Sequence, residues 1–79
     1  MAKKNLHSKD ILQKLGNRLR ELRIEKGYSN YEQFAFDNEI PRSQYGRYEK
    51  GSDLRITSLL KVLEALDISL TDFFSEGFD

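Results

Sequence analysis

Residues 34–51 read FAFDNEIPRSQYGRYEKG. Phe34 and Ala35 can face a core, Pro41 forbids one unbroken helix, and Gly51 closes the stretch. Proline lacks the N–H that a helix interior uses, yet it suits a first helical turn. The stretch therefore predicts the end of a short helix, a turn over Asn38–Ile40, and a second helix from Pro41 or Arg42 to about Lys50. On that helix Tyr45 and Tyr48 share a face, because residues three apart do. Arg42, Ser43, Gln44, Gly46 and Arg47 occupy the remainder. Either the arginines are held out to an anionic partner, or this is an ordinary polar surface helix. The flanking sequence has to decide.

Upstream, Leu12, Leu15, Leu19 and Leu22 form the stripe of an amphipathic helix. Ser8 is expected to cap its start, Asp10 suits its positive end, and Gly27 suits a left-handed ending. Gly16 inside the stripe costs about 1 kcal/mol against Ala, so the first turns are expected to fray. In GYSNYEQ (27–33), Ser29 with Glu32 and Asn30 with Gln33 both fit a capping box, and both stay open. Phe34, Ala35 and Phe36 then offer an apolar face for helix two.

Downstream, ITSLLKVLEALDIS (56–69) gives helix four a broad apolar face of Ile56, Leu59, Leu60, Leu63 and Leu66. SLTDFF (69–74) reads as a fifth helix, with Ser69 as cap, Asp72 closing the box and Ile68 stapled onto Phe73. No alternating strand pattern, repeat or low-complexity segment occurs. The expected fold is all-α, five helices around one core, with residues 1–8 a basic arm, 9–76 a single domain and 77–79 a short tail.

The chain has 79 residues, no cysteine and one histidine, His7. No disulfide framework or cysteine-based zinc site is available, and one histidine makes no metal site. Carboxylates are scattered, Ser52 and Asp53 have no base beside them, and no Gly-rich phosphate loop occurs. Neither an enzyme nor a cofactor is expected. No apolar run is long enough for a membrane span, so a cytoplasmic chain is the expectation. Lys and Arg number 13, as do Asp and Glu, but unevenly. Residues 1–27 carry eight cations and three acids, residues 52–79 two and six. The basic third can present a positive face, or the two ends can simply attract each other.

In this order and at these spacings, LGNRLRELRIEKG (15–27), FAFDNEIPRSQYGRYEKG and LLKVLEALDISLTDFF (59–74) resemble the phage-repressor-like (XRE) helix-turn-helix family. The resemblance implies a lambda-repressor-like domain with its helix-turn-helix at helices two and three. It implies a sequence-specific regulator of transcription that binds double-stranded DNA and reads the major groove with helix three, with repression the default mode. Arg42, Ser43 and Arg47 match the positions that face base edges, and Gln44 lies beside them. The chemistry agrees: arginine forks onto the two acceptors of guanine, and glutamine can pair with adenine. The candidates for the DNA backbone are Asn30 or Tyr31 at the start of helix two, then Lys50 and Arg55 after helix three. Lys3, Lys4 and Lys9 could reach DNA from the arm or form a solvated tail. Arg23 and Glu49 match a pair that commonly forms a semi-buried salt bridge, a structural role.

The chain also departs from the family. The turn lacks the usual Gly, so Asn38 or Glu39 must adopt positive φ, a geometry Asn tolerates better. Helix two usually starts Ser-Gln; YSNYEQ is one residue longer, which leaves the phosphate contact between Asn30 and Tyr31. Gly46 is unusual in such a helix and either permits close approach to DNA or weakens the helix. A palindromic site would require a homodimer, with half-sites about 34 Å apart, and Phe78 in the carboxy-terminal region is the candidate for its interface. No small-molecule effector pocket is suggested. The rival reading is a protein-interaction module or antitoxin-like adaptor of the same fold, with little DNA binding.

Overall fold

The computed structural model describes residues 7–79. These form five helices: α1 (Ser8–Glu25), α2 (Tyr31–Asp37), α3 (Arg42–Glu49), α4 (Ile56–Leu66) and α5 (Leu70–Phe73). The fold is the expected all-helical one, and among the described residues it contains no strand.

Local chemistry explains the boundaries. Ser8 is already helical and His7 takes the cap position without a side-chain bond, so the expected Ser8 cap is not made. Lys9 lies in α1 rather than in an arm, while Lys3 and Lys4 fall outside the described residues. At α2 the structure selects the second of the two possible caps: Asn30 Oδ1 accepts from the backbone N–H groups of Glu32 (2.7 Å) and Gln33 (3.2 Å). The extra residue of YSNYEQ therefore falls before the cap. Gln33 does not reciprocate; its amide donates to Asp37 at 2.7 Å. Ser69 caps α5 by accepting from Asp72 N–H at 3.0 Å.

Helices α1, α2 and α3 end alike. In each, the residue two past the cap donates its N–H back across the last turn: Tyr28 to Arg23 O, Ile40 to Ala35 O and Ser52 to Arg47 O. This closure requires a left-handed residue in between, supplied by Gly27, Glu39 and Gly51 at φ of 107°, 59° and 98°. Of the two candidates in the helix-turn-helix turn, Glu39 takes the positive φ. Asn38 does not, because its side chain is engaged elsewhere, donating to Phe34 O at 2.8 Å. A non-glycine residue in this conformation costs about 1–2 kcal/mol, offset here by the carbonyls that the turn satisfies.

The core collects Leu15 and Leu19 of α1, Phe34 and Ala35 of α2, Ile40 of the turn, and Tyr45 and Tyr48 of α3. Leu59, Val62, Leu63 and Leu66 of α4 and Phe73 of α5 complete it. The buried row of α4 runs 59, 62, 63, 66, a helical period that leaves Ile56 and Leu60 on the adjacent, exposed row. The broad face expected of helix four is thus split in two. Phe36 also points outward instead of extending the face of α2.

Gly16 is where α1 and α3 meet. A Cβ there would stand 2.6 Å from the carbonyl oxygens of both Tyr48 and Glu49. Its absence lets the end of α3 rest on α1, and α1 runs unbroken through it. The expected fraying at Gly16 is replaced by a helix–helix contact.

Candidate nucleic-acid interface

Helix α3 is only eight residues long, and few of them are apolar. An isolated helix of that length is unstable in water, so its neighbours must hold it. Tyr45 is fully buried, with its ring centroid 5.2 Å from that of Phe34 and 6.4 Å from those of Tyr31 and Tyr48. The Tyr31 ring lies over Gly46, where a Cβ would come within 2.7 Å of it. The room left by Gly46 is therefore filled from within the protein, not reserved for close approach to DNA.

The end of α3 is fixed by charge. Arg23 Nε donates to Glu49 Oε2 at 2.8 Å, and Nη2 donates to Oε1 at 2.9 Å, a two-pronged pair whose side chains are 5% and 7% exposed. Arg23 Nη1 also donates to Tyr28 O at 2.7 Å. The bond to Glu49 raises the pKa of Arg23 above its ordinary value, against the opposing effect of burial. The buried Tyr45 hydroxyl has no hydrogen-bond partner among the described residues. Burial first, and then the Glu49 carboxylate, push its pKa well above the usual tyrosine value.

With Tyr45, Gly46 and Tyr48 turned inward, the outer side of α3 carries Ser43, Gln44 and Arg47, with Arg42 in its first turn and Lys50 just past its end; all five are exposed. The structure thus brings together Arg42, Ser43, Gln44 and Arg47, the four residues expected to meet bases. A shallow recess lined by Asn30, Glu32, Gln33, Phe36 and Arg42 joins the starts of α2 and α3. Another, lined by Gln44, Arg47, Ser52, Asp53 and Arg55, joins α3 to the loop before α4. Of the backbone candidates, Asn30, Lys50 and Arg55 are exposed, whereas Tyr31 is half-buried by its packing on Gly46.

Arg18 and Arg23, two of the eight cations in residues 1–27, are buried. Arg42, Arg47, Lys50 and Arg55 supply the cations beside α3, from residues 42–55, which carry four cations and two acids. Sequence reasoning missed Arg18 altogether. Its guanidinium donates to Phe73 O (2.9 Å), Asp72 O (3.0 Å) and Glu76 (3.2 Å), tying the end of α5 to α1. Partners more than fifty residues away leave no local signal. Phe78 is half-buried, its ring 4.7 Å from Phe74 and 5.8 Å from Phe73, so it packs on its own domain. Among the described residues, no helix is long and apolar enough to cross a membrane, and no group of three or more His, Cys, Asp or Glu could hold a metal ion.

A short recognition-type helix seated on a capped helix and a tight turn, with arginines outward, is the architecture of a helix-turn-helix protein. The helix-turn-helix family model matches residues 19–73, and the chain belongs to this family of DNA-binding transcriptional regulators. Its relatives are more particular. It is 34% identical over 68 residues to the control protein C.MunI of Mycoplasma sp., covering 85% of this chain and 92% of that one. Among solved structures it resembles the restriction-modification controller protein C.AhdI from Aeromonas hydrophila, with a TM-score of 0.71 and 41% identity, covering 80% of this chain and 96% of that one.

Proposed function

We propose that this protein is a cytoplasmic controller of restriction-modification genes, acting as a homodimer on a two-fold operator and repressing by occupying the promoter. The observation that carries the DNA-reading part is the division of α3: two tyrosines buried, and Arg42, Ser43, Gln44 and Arg47 exposed. Arg42 and Arg47 reach guanine edges, Ser43 and Gln44 neighbouring bases, and Lys50, Arg55 and the Asn30 amide the flanking phosphates. Tyr31 contributes mainly by fixing α2 against α3. The names of the relatives, one a control protein and the other a restriction-modification controller protein, favour a regulator over an adaptor.

The test is a fluorescence-anisotropy titration against DNA tiled from the region upstream of the protein's own gene, at several salt concentrations. One segment should bind tightly and weaken steeply with salt as counterions return to the phosphates. Uniformly weak binding to every segment would overturn the regulator reading. On the operator so found, Arg42→Ala and Arg47→Ala should each cost about 1–3 kcal/mol at the matching base pair and relax selectivity there. Full, equally selective binding by both variants would mean that α3 does not face the bases.

The dimer is proposed through α4 and α5. Ile56, Leu60, Leu70 and Phe74 are exposed apolar side chains, and Leu60, Leu63, Ile68 and Leu70 line one groove with Lys61 and Glu64. Opposite charges within one apolar patch make it self-complementary, as a two-fold interface requires. Leu60→Glu should convert a dimer in sedimentation equilibrium into a monomer that remains folded by circular dichroism. An unchanged dimer would place the interface elsewhere.

A further inference from the structure

Of the four outward residues on α3, Gln44 alone is held in place by another side chain among the described residues. Its Nε2 donates to the Tyr48 hydroxyl at 2.6 Å, while the side chains of Arg42, Ser43 and Arg47 make no hydrogen bond there. Tyr48 is a firm anchor: it is 5% exposed, belongs to the core and meets Tyr45 edge-on. Gln44 is exposed at the rim of α3, where an untethered amide would sample many rotamers. Residues four apart on a helix lie one above the other, so the bond forms without distorting α3.

The chemistry of the tether matters. A carboxamide has two N–H donors and one carbonyl acceptor. Donating one N–H to Tyr48 leaves one donor and one acceptor, the pair that the N7 and N6 amino group of adenine match in the major groove. We propose that the Tyr48 hydroxyl is a positioning residue for sequence reading: it orients the Gln44 amide so that its remaining donor and acceptor meet an adenine edge. Tyr48 touches no base itself. Its ring belongs to the core and its hydroxyl to the specificity of the surface. The proposal rests on the reading that α3 enters the major groove.

The experiment measures binding of the wild type, Tyr48→Phe, Gln44→Ala and the double variant to the operator and to a series with each base pair replaced. Gln44→Ala identifies the base pair that Gln44 reads. Tyr48→Phe should lose roughly threefold to tenfold of the discrimination at that pair alone, keep its melting temperature, and add nothing when Gln44 is already Ala. NMR relaxation of the Gln44 side-chain amide in the DNA-free protein gives an independent readout: ordered in the wild type, mobile in Tyr48→Phe. A purely structural role for Tyr48 would change neither the base profile nor this amide. An unchanged profile in Tyr48→Phe, an equal loss in the Gln44→Ala background, or a mobile amide in the free wild type would each overturn the proposal. If Gln44→Ala itself leaves every base preference intact while the amide is ordered, the tether exists but does not serve reading, and the proposal fails there. Loss of specific binding by the wild type on every segment would instead be a failure of the DNA-reading assignment as a whole.

Discussion

Glu49→Ala lowers the stability of the domain by about 3–5 kcal/mol, because removing one partner of a buried ion pair strands the other. Arg23 would keep only its bond to Tyr28 O, in a site where its side chain is 5% exposed. For a domain of this size each kcal/mol moves the melting temperature by about 4–8 °C, so the loss should be plain in a thermal melt followed by circular dichroism. Glu21→Ala is the control: Glu21 is exposed on α1, and its removal should stay within about 0.5 kcal/mol. Equal small losses for the two variants would show that Arg23 and Glu49 do not form a buried pair in solution. A double-mutant cycle with Arg23→Ala separates the pair's own coupling from the cost of the stranded charge. Because the pair anchors the end of α3, operator affinity should fall as well, even where Glu49→Ala is still folded.

The helices were legible because each announces itself locally. The leucines of α1, the proline that opens α3 and the glycines that close α1 and α3 are statements about neighbouring residues, and the structure follows them. Contacts across the sequence were legible only where a resemblance supplied them, as for Arg23 with Glu49. Arg18 shows the contrast: its partners are the carbonyls at the end of α5, and a carbonyl carries no residue identity to recognise. The apolar face of α4 was drawn too wide because periodicity says which residues align, not which of two adjacent rows meets the core. Charge counted by segment has a related limit: it includes Arg18 and Arg23, which are buried and paired with Glu76 and Glu49.

Gly16 was weighed by propensity and Gly46 between helix weakening and close approach to DNA, and both turn out to be set by what lies across from them. Propensity alone says that Gly16→Ala should stabilise α1 by about 1 kcal/mol. The structure says the opposite. The new methyl would meet two carbonyl oxygens at 2.6 Å and a carbonyl carbon at 2.9 Å, all in the α3 backbone. Backbone cannot rotate aside as a side chain can, so α3 must lift from α1 by nearly an ångström. That movement strains the Arg23–Glu49 fork and shifts Tyr48 within the core. Overpacking of this kind costs about 3 kcal/mol, which outweighs the gain in helix propensity. Gly46→Ala is the discriminating comparison. The atoms its methyl would meet first belong to the end of the Tyr31 ring, from 2.7 Å, and Tyr31 is a half-buried side chain rather than backbone. Thermal melts should therefore rank wild type above Gly46→Ala, and Gly46→Ala above Gly16→Ala. A rise in melting temperature for Gly16→Ala would mean that α1 and α3 do not approach this closely, and the seating of the reading helix would have to be redrawn. A fall accompanied by weakened operator binding, at temperatures where the variant is still helical, would show that the position of α3 is set from beneath, by a residue that never meets DNA.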